Sequence, residues 1–245
     1  MPKPLPLEEL PVYSKSNPIS PERDFLSGAV VLVNKPKDWT SFDAVKYIRN
    51  RIGIKKVGHA GTLDPMATGL LVLCTGKATK SIDQIQSMPK AYHAEITFGH
   101  STPSYDAMSE ADAHAKVEHI TESMIADQLN HHFLGEIDQV PPMYSALKRD
   151  GKKLYELARR GKIIELEPRP VTIYEHNIVG WTSPVLELTI RCGKGTYIRS
   201  LAHDLGKAVG SLAHLSALER TEIGHFVAEE GYTPHEINDI MRTDG

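Results

Sequence analysis

The hydrophobic and polar positions of this chain follow two different periods, which predicts a mixture of strands and helices. Residues 29–33 and 70–74 are continuous apolar runs, the pattern of buried strands. Residues 92–98 and 185–192 alternate apolar and polar side chains, the pattern of strands with one buried face. Residues 121–133 have the spacing of an amphipathic helix.

Capping and turn residues add further elements to this pattern. Thr40 is followed three residues later by Asp43, a pairing typical of a helix start, and we expect that helix to end at Gly53. Strands and helices follow one another without a steady βαβ alternation, which favours an α+β fold over a doubly wound sheet. The other predicted elements are a short helix at 154–160, a strand at 171–179 and a helix at 197–209.

Length and composition are those of a globular protein with one large domain or two small ones. The chain has 245 residues, of which 40% are hydrophobic and 24% are charged. Its two cysteines, Cys74 and Cys192, form no CxxC pair, which favours a reducing compartment. No apolar run approaches the roughly 20 residues that span a bilayer. Residues 1–21 are rich in proline and lack the apolar segment of a secretory signal, so we expect a mobile extension there.

Basic residues are concentrated in two runs, although the net charge is −3. Five of them lie between Asp43 and Asp64 with no acid among them, and seven lie from Lys148 to Lys162 together with two acids. Such runs are either solvated helix faces or contacts to a nucleic-acid backbone. Charge by itself does not separate these two interpretations.

The most unusual segment is a loop at residues 58–71. It combines three glycines, a proline, a histidine and a single acid, Asp64. Glycine permits backbone angles that other residues resist and proline fixes its own, so the composition predicts a rigid, tightly turned loop. The apolar run at 70–74 continues from it. Asp64 is therefore expected at the edge of a sheet, where a reactive side chain gains from fixed geometry.

The familiar phosphate-binding and hydrolytic motifs do not fit the chain. Neither residues 76–79 nor residues 193–196 have the glycine spacing, and the Ser or Thr after lysine, that a phosphate loop needs. The chain has no GxSxG motif of a serine hydrolase. It also lacks HExxH and clustered Cys/His spacing, so no metal site is expected.

Two further segments occur with the glycine loop in an order that resembles one enzyme family. Residues 139–148 join a double proline to an aromatic and a basic stretch, and residues 193–201 place Tyr197 and Arg199 two apart after a strand. With them the chain resembles the TruB-type pseudouridine synthases, which isomerise a uridine in the T-loop of transfer RNA. The resemblance, from about residue 28 to residue 226, rests on Asn34-Lys35-Pro36, Thr40-Ser41, residues 58–71, Lys90-Ala91-Tyr92, residues 139–148 with Gly151 and Tyr155, residues 195–199 and residues 218–220.

The resemblance implies a cofactor-free isomerisation in which the glycosidic C–N bond of uridine breaks and the base rejoins through carbon. It implies that Asp64 provides the one ionised carboxylate, which adds to the base, attacks the sugar carbon or removes a sugar proton; the sequence leaves these routes open. Arg199 would pair with this aspartate and keep it charged. Tyr92 would stack on the target base and act in the final proton removal, and Tyr197 would lie near the aspartate.

The same resemblance implies an RNA-binding surface around these residues. The target uridine must leave its stack to reach Asp64, and His59 would hold that flipped conformation, or else brace its own loop. The basic runs then become phosphate contacts, so binding is expected to weaken as salt rises. In the loop at 101–109 only Asp106 matches the family pattern, and the loop is assigned no role. The other residues assigned to substrate binding are Gly61, Thr62, Lys35, Tyr144, Lys148, Lys152, Lys153 and Arg159.

The resemblance also implies the architecture and the partner. We expect a pseudouridine synthase fold, which is α+β with a central mixed, mostly antiparallel sheet, flanking helices and an active-site cleft across the sheet. The predicted domains are a flexible proline-rich extension at 1–24, a catalytic domain at 25–228 and a tail at 229–245 that is too short for a PUA-like RNA-binding domain. The expected partner is the T-arm of tRNA, with no metal, cofactor or membrane, for a cytoplasmic monomer. The alternatives are a catalytically silent tRNA-folding chaperone, which would not need Asp64, and the catalytic subunit of a guide-RNA particle.

Overall fold

In the computed structural model of the chain, residues 5–145, 147–149, 151–158, 160–161 and 164–243 are described. Within these residues the helices are α1 (Ser41–Ile52), α2 (Ile82–Ser87), α3 (Glu122–His132), α4 (Leu154–Ala158), α5 (Ile198–Ala208) and α6 (Pro234–Thr243). The strands in the same residues are β1 (Val12–Tyr13), β2 (Val30–Lys35), β3 (Val57–His59), β4 (Thr68–Thr75), β5 (Lys90–Phe98), β6 (His100–Ser101), β7 (Ala113–His114), β8 (Gly135–Gln139), β9 (Lys148–Arg149), β10 (Lys152–Lys153), β11 (Arg169–Thr182), β12 (Val185–Cys192), β13 (Ala213–Ile223) and β14 (Phe226–Val227).

The chain divides into two compact units. The first unit contains Met1–Tyr92 and Glu219–Gly245, and the second contains His93–Leu218. Strands β5 and β13 each contribute residues to both units. Each unit combines sheet and helix, so the predicted α+β class is confirmed.

The first unit is built on the antiparallel pair β2 and β4, in register from Val30 opposite Cys74 to Lys35 opposite Gly69. β1 extends the sheet parallel to β2, and β3 lies antiparallel to one end of β4. At the other end of β4, the first-unit part of β13 runs parallel to it. Parallel and antiparallel pairs therefore coexist, as the mixed sheet predicted from the family requires.

Side chains of β2 and β4 alternate between two buried faces because successive residues of a strand point to opposite sides. On one face Val31 and Leu73 pack with α1 and with Ile237 of α6. On the other face Val30 and Leu70 belong to a separate cluster that is completed by Ile85 and Phe226. Because both faces are covered, the run at 70–74 is apolar without alternation.

Helix α1 forms where its capping residues predict it. Thr40 Oγ1 accepts the backbone N–H of Asp43 at 3.0 Å, and Asp43 Oδ2 accepts the backbone N–H of Thr40 at 3.0 Å. This capping box satisfies donors that the first helical turn leaves unpaired. The helix ends at Gly53, whose φ of 71° is a left-handed conformation that favours glycine.

The amino-terminal segment departs from the predicted flexible extension. Residues 7–9 form a 3₁₀ turn, and β1 pairs with the edge of β2. Leu10, Tyr13 and Phe25 are buried in the first unit. Tyr232 donates its hydroxyl to the carbonyl of Ser14 at 2.7 Å. Dispersed apolar residues, rather than a periodic pattern, fix this segment on the sheet.

The second unit is centred on β11, which lies between β12 and β8 with both neighbours antiparallel. Short pairs of strands, β6 with β7 and β9 with β10, lie apart from this sheet. Helices α3 and α5 pack against each other. The strands predicted at 171–179 and 185–192, and the helices predicted at 121–133 and 197–209, are confirmed with ends that differ by at most three residues.

Two elements at the carboxyl end were not predicted from the sequence. Strand β13 is long, and helix α6 follows it within the segment predicted as a tail, where α6 packs against α1. Among the described residues, no helix combines the length and the apolar composition that crossing a bilayer requires. The domain boundaries given above and the cleft across the sheet stay predictions.

Candidate active site

Asp64 lies on the loop between β3 and β4, and the loop is fixed largely through its backbone. The carbonyl of Asp64 accepts the N–H of Ala67 at 3.1 Å, and the carbonyl of Pro65 accepts the N–H of Asp38 at 2.8 Å. The Asp64 residue itself is partly exposed. A partly exposed carboxylate on a hydrogen-bonded turn is a suitable reactive group, because its position is set before substrate arrives.

Ser41 at the start of α1 pins the same loop. Its hydroxyl accepts the N–H of Leu63 at 2.8 Å and donates to the carbonyl of Leu63 at 3.1 Å. Both Ser41 and Leu63 are buried. The residue before Asp64 is therefore fixed through both of its backbone polar groups.

Arg220 of β13 braces the loop from within the first unit. Its Nε donates to the carbonyl of Leu70 at 2.8 Å, its Nη2 to that of Gly61 at 3.0 Å, and its Nη1 to that of Thr62 at 3.5 Å. The Arg220 residue is only 2% exposed. Gly69 permits this approach, because a Cβ there would lie 2.4 Å from the Arg220 carbonyl and its φ is 94°.

Lys35 is a second buried cation beneath the loop. Its Nζ donates to the carbonyls of Trp39 at 2.6 Å, Pro36 at 2.9 Å and Pro65 at 3.3 Å, and the residue is 0% exposed. Burial lowers the pKa of Lys35 to about 8, and the Asp64 carboxylate opposes that shift. Lys35 therefore fixes the turn that follows Asp64 through the Pro65 carbonyl. Its contact with RNA stays a prediction.

The remaining residues predicted on the glycine loop differ in their exposure. His59 ends β3 opposite Leu73 and is partly exposed, and burial lowers the pKa of its imidazole. The ring is therefore neutral at neutral pH. Thr62 is exposed, whereas Gly61 is partly exposed and has a φ of 99°.

Tyr92 lies on β5, on the strand face shared with the buried side chains of Ala94, Ile96 and Phe98. Tyr92 itself is partly exposed. Two residues earlier the ammonium of Lys90 donates to the carbonyls of Gln86 and Met88 and closes the turn between α2 and β5. The strand therefore begins at a fixed turn, two residues before the partly exposed Tyr92.

In the second unit, Arg199 is 3% exposed and sits in the first turn of α5. Its Nη1 donates to the carbonyl of Ser104 at 3.0 Å, and its Nη2 donates to that of Tyr144 at 2.9 Å. Its Nε lies 3.7 Å from Asp106 Oδ2, a buried ion pair. The loop that the sequence left without a role therefore holds Arg199. The pairing of Arg199 with Asp64 stays a prediction.

Asp106 is positioned by its own loop. Its Oδ1 accepts the Ser104 hydroxyl at 2.6 Å and the N–H of Met108 at 3.0 Å. Its carbonyl accepts the Thr102 hydroxyl at 2.7 Å. The loop thus fixes the carboxylate that lies beside the Arg199 guanidinium. The alignment of Asp106 with the family pattern was the one signal for it in the sequence.

The segment at 139–144 anchors the start of α5. The Gln139 side chain accepts the backbone N–H of Tyr197 at 2.8 Å and donates to its carbonyl at 3.1 Å. The Ser200 hydroxyl donates to the carbonyl of Val140 at 2.7 Å. Tyr144, predicted to bind substrate, is partly exposed and contributes its carbonyl to Arg199. Gln139 belongs to the segment 139–148 that carries the resemblance, but its hydrogen bonds to the Tyr197 backbone could not be inferred from the sequence.

The basic residues predicted to bind RNA in the second unit are placed only in part. The backbones of Lys148, Lys152 and Lys153 form the pair of β9 and β10, in which Lys153 lies opposite Lys148. Arg159 lies outside the described residues. Within the described part of the chain, no group of three or more His, Cys, Asp or Glu side chains is arranged to hold a metal ion.

Comparison with family models and curated proteins gives one consistent result. Residues 49–198 match the model described as the TruB family pseudouridylate synthase N-terminal domain, and residues 199–244 match the tRNA pseudouridylate synthase B C-terminal domain. A protein of Parabacteroides distasonis named tRNA pseudouridine synthase B is 46% identical over 89% of this chain and 95% of its own length. A protein of Flavobacterium johnsoniae with the same name is 48% identical over 85% of this chain and 93% of its own length.

Solved structures give the same fold. The chain is 28% identical to one chain of a Cbf5–Nop10–Gar1 complex, with a TM-score of 0.70 over 93% of this chain. It is 26% identical, with a TM-score of 0.65, to a chain of an H/ACA RNP bound to a substrate RNA that contains 2′-deoxyuridine. The matches span 58% and 56% of those longer chains.

Proposed function

The chain belongs to the TruB family of pseudouridylate synthases, and from this premise we propose that it converts uridine 55 in the T-loop of tRNA to pseudouridine, with Asp64 as the catalytic residue. The enzyme class follows from the family: the chain is a tRNA pseudouridine synthase, an isomerase that modifies RNA. The position of the target and the roles of individual residues are the further content of the proposal.

The observation that carries the catalytic assignment is the fixed backbone around a partly exposed Asp64. Ser41, Arg220 and Lys35 hold the loop through its backbone, at the carbonyls of Gly61, Thr62, Leu63, Pro65 and Leu70 and at the N–H of Leu63. The Asp64 carboxylate also interacts with the buried Lys35 ammonium, because it raises the pKa of Lys35 against the effect of burial. The reaction that we propose needs one such carboxylate and neither gains nor loses atoms.

The family resemblance gives further roles in the proposed reaction to Tyr92, Arg199 and Tyr197. Tyr92 provides a ring for the target base, because base stacking on aromatic side chains is the usual way in which proteins hold an unstacked nucleotide. Arg199, held by Ser104, Tyr144 and Asp106, supplies a guanidinium of fixed orientation. The Gln139 side chain fixes the backbone of Tyr197, two residues before Arg199. The enzyme acts as a cytoplasmic monomer on the T-arm.

The test is a defined reaction. The purified chain is incubated with a tRNA transcript and with the isolated T-arm stem-loop, without guide RNA or added protein, and pseudouridine is mapped at nucleotide resolution. Modification at position 55 of both substrates is the expected result. Modification at another uridine would contradict the proposed target, and a need for a guide RNA would favour the guide-RNA alternative.

Arg51 on α1 is proposed as a phosphate contact of the same enzyme. Its guanidinium carbon lies 4.5 Å from the centre of the Tyr47 ring, and its Nε donates to Asn238 Oδ1 at 2.7 Å, although the residue is exposed. It lines a groove of about 370 Å³ together with Trp39 and Lys46. An exposed arginine that is already immobilised loses less side-chain entropy when it binds an anion.

We expect Arg51→Ala to weaken binding of tRNA by roughly 3- to 10-fold at low salt and to reduce the salt dependence of binding by about one phosphate contact. Arg242→Ala is the matched control, because Arg242 is exposed on α6 of the same unit and the substitution removes the same charge. Filter binding over a salt series measures both variants. If both variants lost the same affinity for tRNA, Arg51 would contribute only through the net charge of the protein.

A further inference from the structure

Three consecutive residues of one loop contact a single face of α5. Ser104 accepts Arg199 Nη1 through its carbonyl, and Asp106 forms the ion pair with Arg199 Nε. Between them, Tyr105 stacks its ring on His203, with the ring centres 3.8 Å apart and the planes 11° from parallel. Arg199 and His203 are four residues apart in α5, so they lie one above the other on successive turns.

Tyr105 adopts a backbone conformation that few residues with a side chain adopt. Its φ is 62°, in the left-handed region, which is strained for a bulky residue. Its N–H donates to the carbonyl of Thr102 at 3.1 Å, and its carbonyl accepts the N–H of Leu215 at 3.0 Å. Strain of this kind persists where the surrounding structure compensates it, and it is concentrated at functional sites.

The left-handed turn has a definite consequence for the loop. It directs the Tyr105 ring towards His203, while the Ser104 carbonyl and the Asp106 carboxylate both contact Arg199. His203 contributes its ring face to this arrangement: its Nδ1 is buried without a hydrogen-bond partner among the described residues. Burial lowers the pKa of His203 to about 4, so the stacked ring is uncharged in the neutral range.

We propose that Tyr105 and His203 are positioning residues, whose stack fixes the loop on α5 so that Ser104 and Asp106 hold the Arg199 guanidinium in a single orientation. The inference rests on the proposed function, in which Arg199 acts at the target uridine. It gives the loop at 101–109 a role in the rate of the reaction and not in the affinity for RNA.

Four variants separate the stack from the backbone strain. Tyr105→Phe and His203→Phe keep two stacked rings, whereas His203→Ala removes the ring on the helix. Tyr105→Gly removes the ring on the loop and also relieves the left-handed strain. Tyr105→Gly and His203→Ala, the two variants that lose a ring, can therefore change the stability of the fold for different reasons. Thermal unfolding of each variant measures that stability.

The rate of pseudouridine formation under single-turnover conditions and the Kd for tRNA are measured for all four variants. Tyr105→Gly and His203→Ala are expected to reduce the rate about 10- to 100-fold, as misplacement of a catalytic group does, with Kd within about twofold of wild type. The two Phe variants are expected to stay within about threefold of the wild-type rate. The double variant Tyr105→Gly/His203→Ala should have nearly the same rate as either single variant, because both substitutions remove the same contact.

A second readout does not depend on activity. The Arg199 Nε–H signal in ¹H–¹⁵N spectra is assigned by its loss in Arg199→Lys. It should be sharp in wild type and Tyr105→Phe, and broadened in Tyr105→Gly and His203→Ala. If wild type makes no pseudouridine, the proposed function fails while this measurement still decides the inference. Three results would overturn the inference: a wild-type rate in Tyr105→Gly or in His203→Ala, an effect on Kd without an effect on the rate, or equally large losses of rate in the two Phe variants. The inference would also be overturned if neither Tyr105→Gly nor His203→Ala folded, since the stack would then stabilise the unit as a whole.

Discussion

Asp64→Asn is expected to reduce pseudouridine formation on a tRNA transcript by roughly 10³-fold or more, because the reaction loses its one ionised carboxylate. The amide has nearly the same shape as the carboxylate. The contacts that hold the loop run through the backbone of Leu63, Asp64 and Pro65, so the substitution leaves them in place. Binding of tRNA is therefore expected to stay within about threefold of wild type.

The measurement is a single-turnover rate together with a Kd from filter binding. Asp83→Asn is the matched control, since Asp83 is exposed on α2 in the same unit and undergoes the same chemical change. A normal rate in Asp64→Asn would show that the catalytic assignment is wrong. The same variant addresses the chaperone alternative: a protein that only refolds tRNA would show no catalytic difference between Asp64→Asn and wild type.

Elements with local signals could be predicted from the sequence. Helix α1 is specified by Thr40, Asp43 and Gly53, all within or next to the helix itself, and the structure contains each of the predicted contacts. The strand at 70–74 is similarly specified by its own composition. In both cases the information lies within a few residues of the element, so tertiary context does not override it.

Elements that depend on distant partners were missed. Strand β13 places the buried Arg220 between Glu219 and Thr221. The burial of this arginine could not be inferred without the carbonyls of Gly61 and Leu70, which lie far away in the chain. The segment around Leu10 and Tyr13 has no periodicity, and its packing depends on β2. Both cases are long-range burial, for which neither propensity nor period gives a signal.

The candidate site shows the same division. The resemblance supplied the residues expected to touch the uridine, whereas the groups that position them came from the structure. Lys35 was assigned to substrate binding from the resemblance, and the structure buries it against three carbonyls. Asp106 and Gln139 act on Arg199 and Tyr197 from segments that are distant in sequence.

Arg220→Ala is the second substitution for which we expect a large effect. It removes a guanidinium that is 2% exposed and leaves the carbonyls of Leu70, Gly61 and Thr62 without their donor. The contact to the Leu70 carbonyl is buried and the other two are partly buried, and a buried acceptor left unpaired costs about 1–3 kcal/mol. Relaxation of the loop recovers part of this cost, so we expect the free energy of unfolding to fall by about 3–5 kcal/mol and Tm to fall by roughly 10 °C.

The same substitution should lower the rate of the reaction, because Gly61 and Thr62 lie two to three residues before Asp64 and the loop loses its internal brace. A displacement of about 1 Å in a catalytic group costs roughly 10²-fold in rate, so the loss is expected in the rate of folded enzyme well below Tm. Arg220→Lys should retain part of both properties, since an ammonium can reach some but not all of the three carbonyls. Arg242→Ala removes an exposed arginine from the same unit and should change Tm by less than about 2 °C. An Arg220→Ala protein with wild-type Tm and rate would show that the loop is held by Ser41 and Lys35 alone.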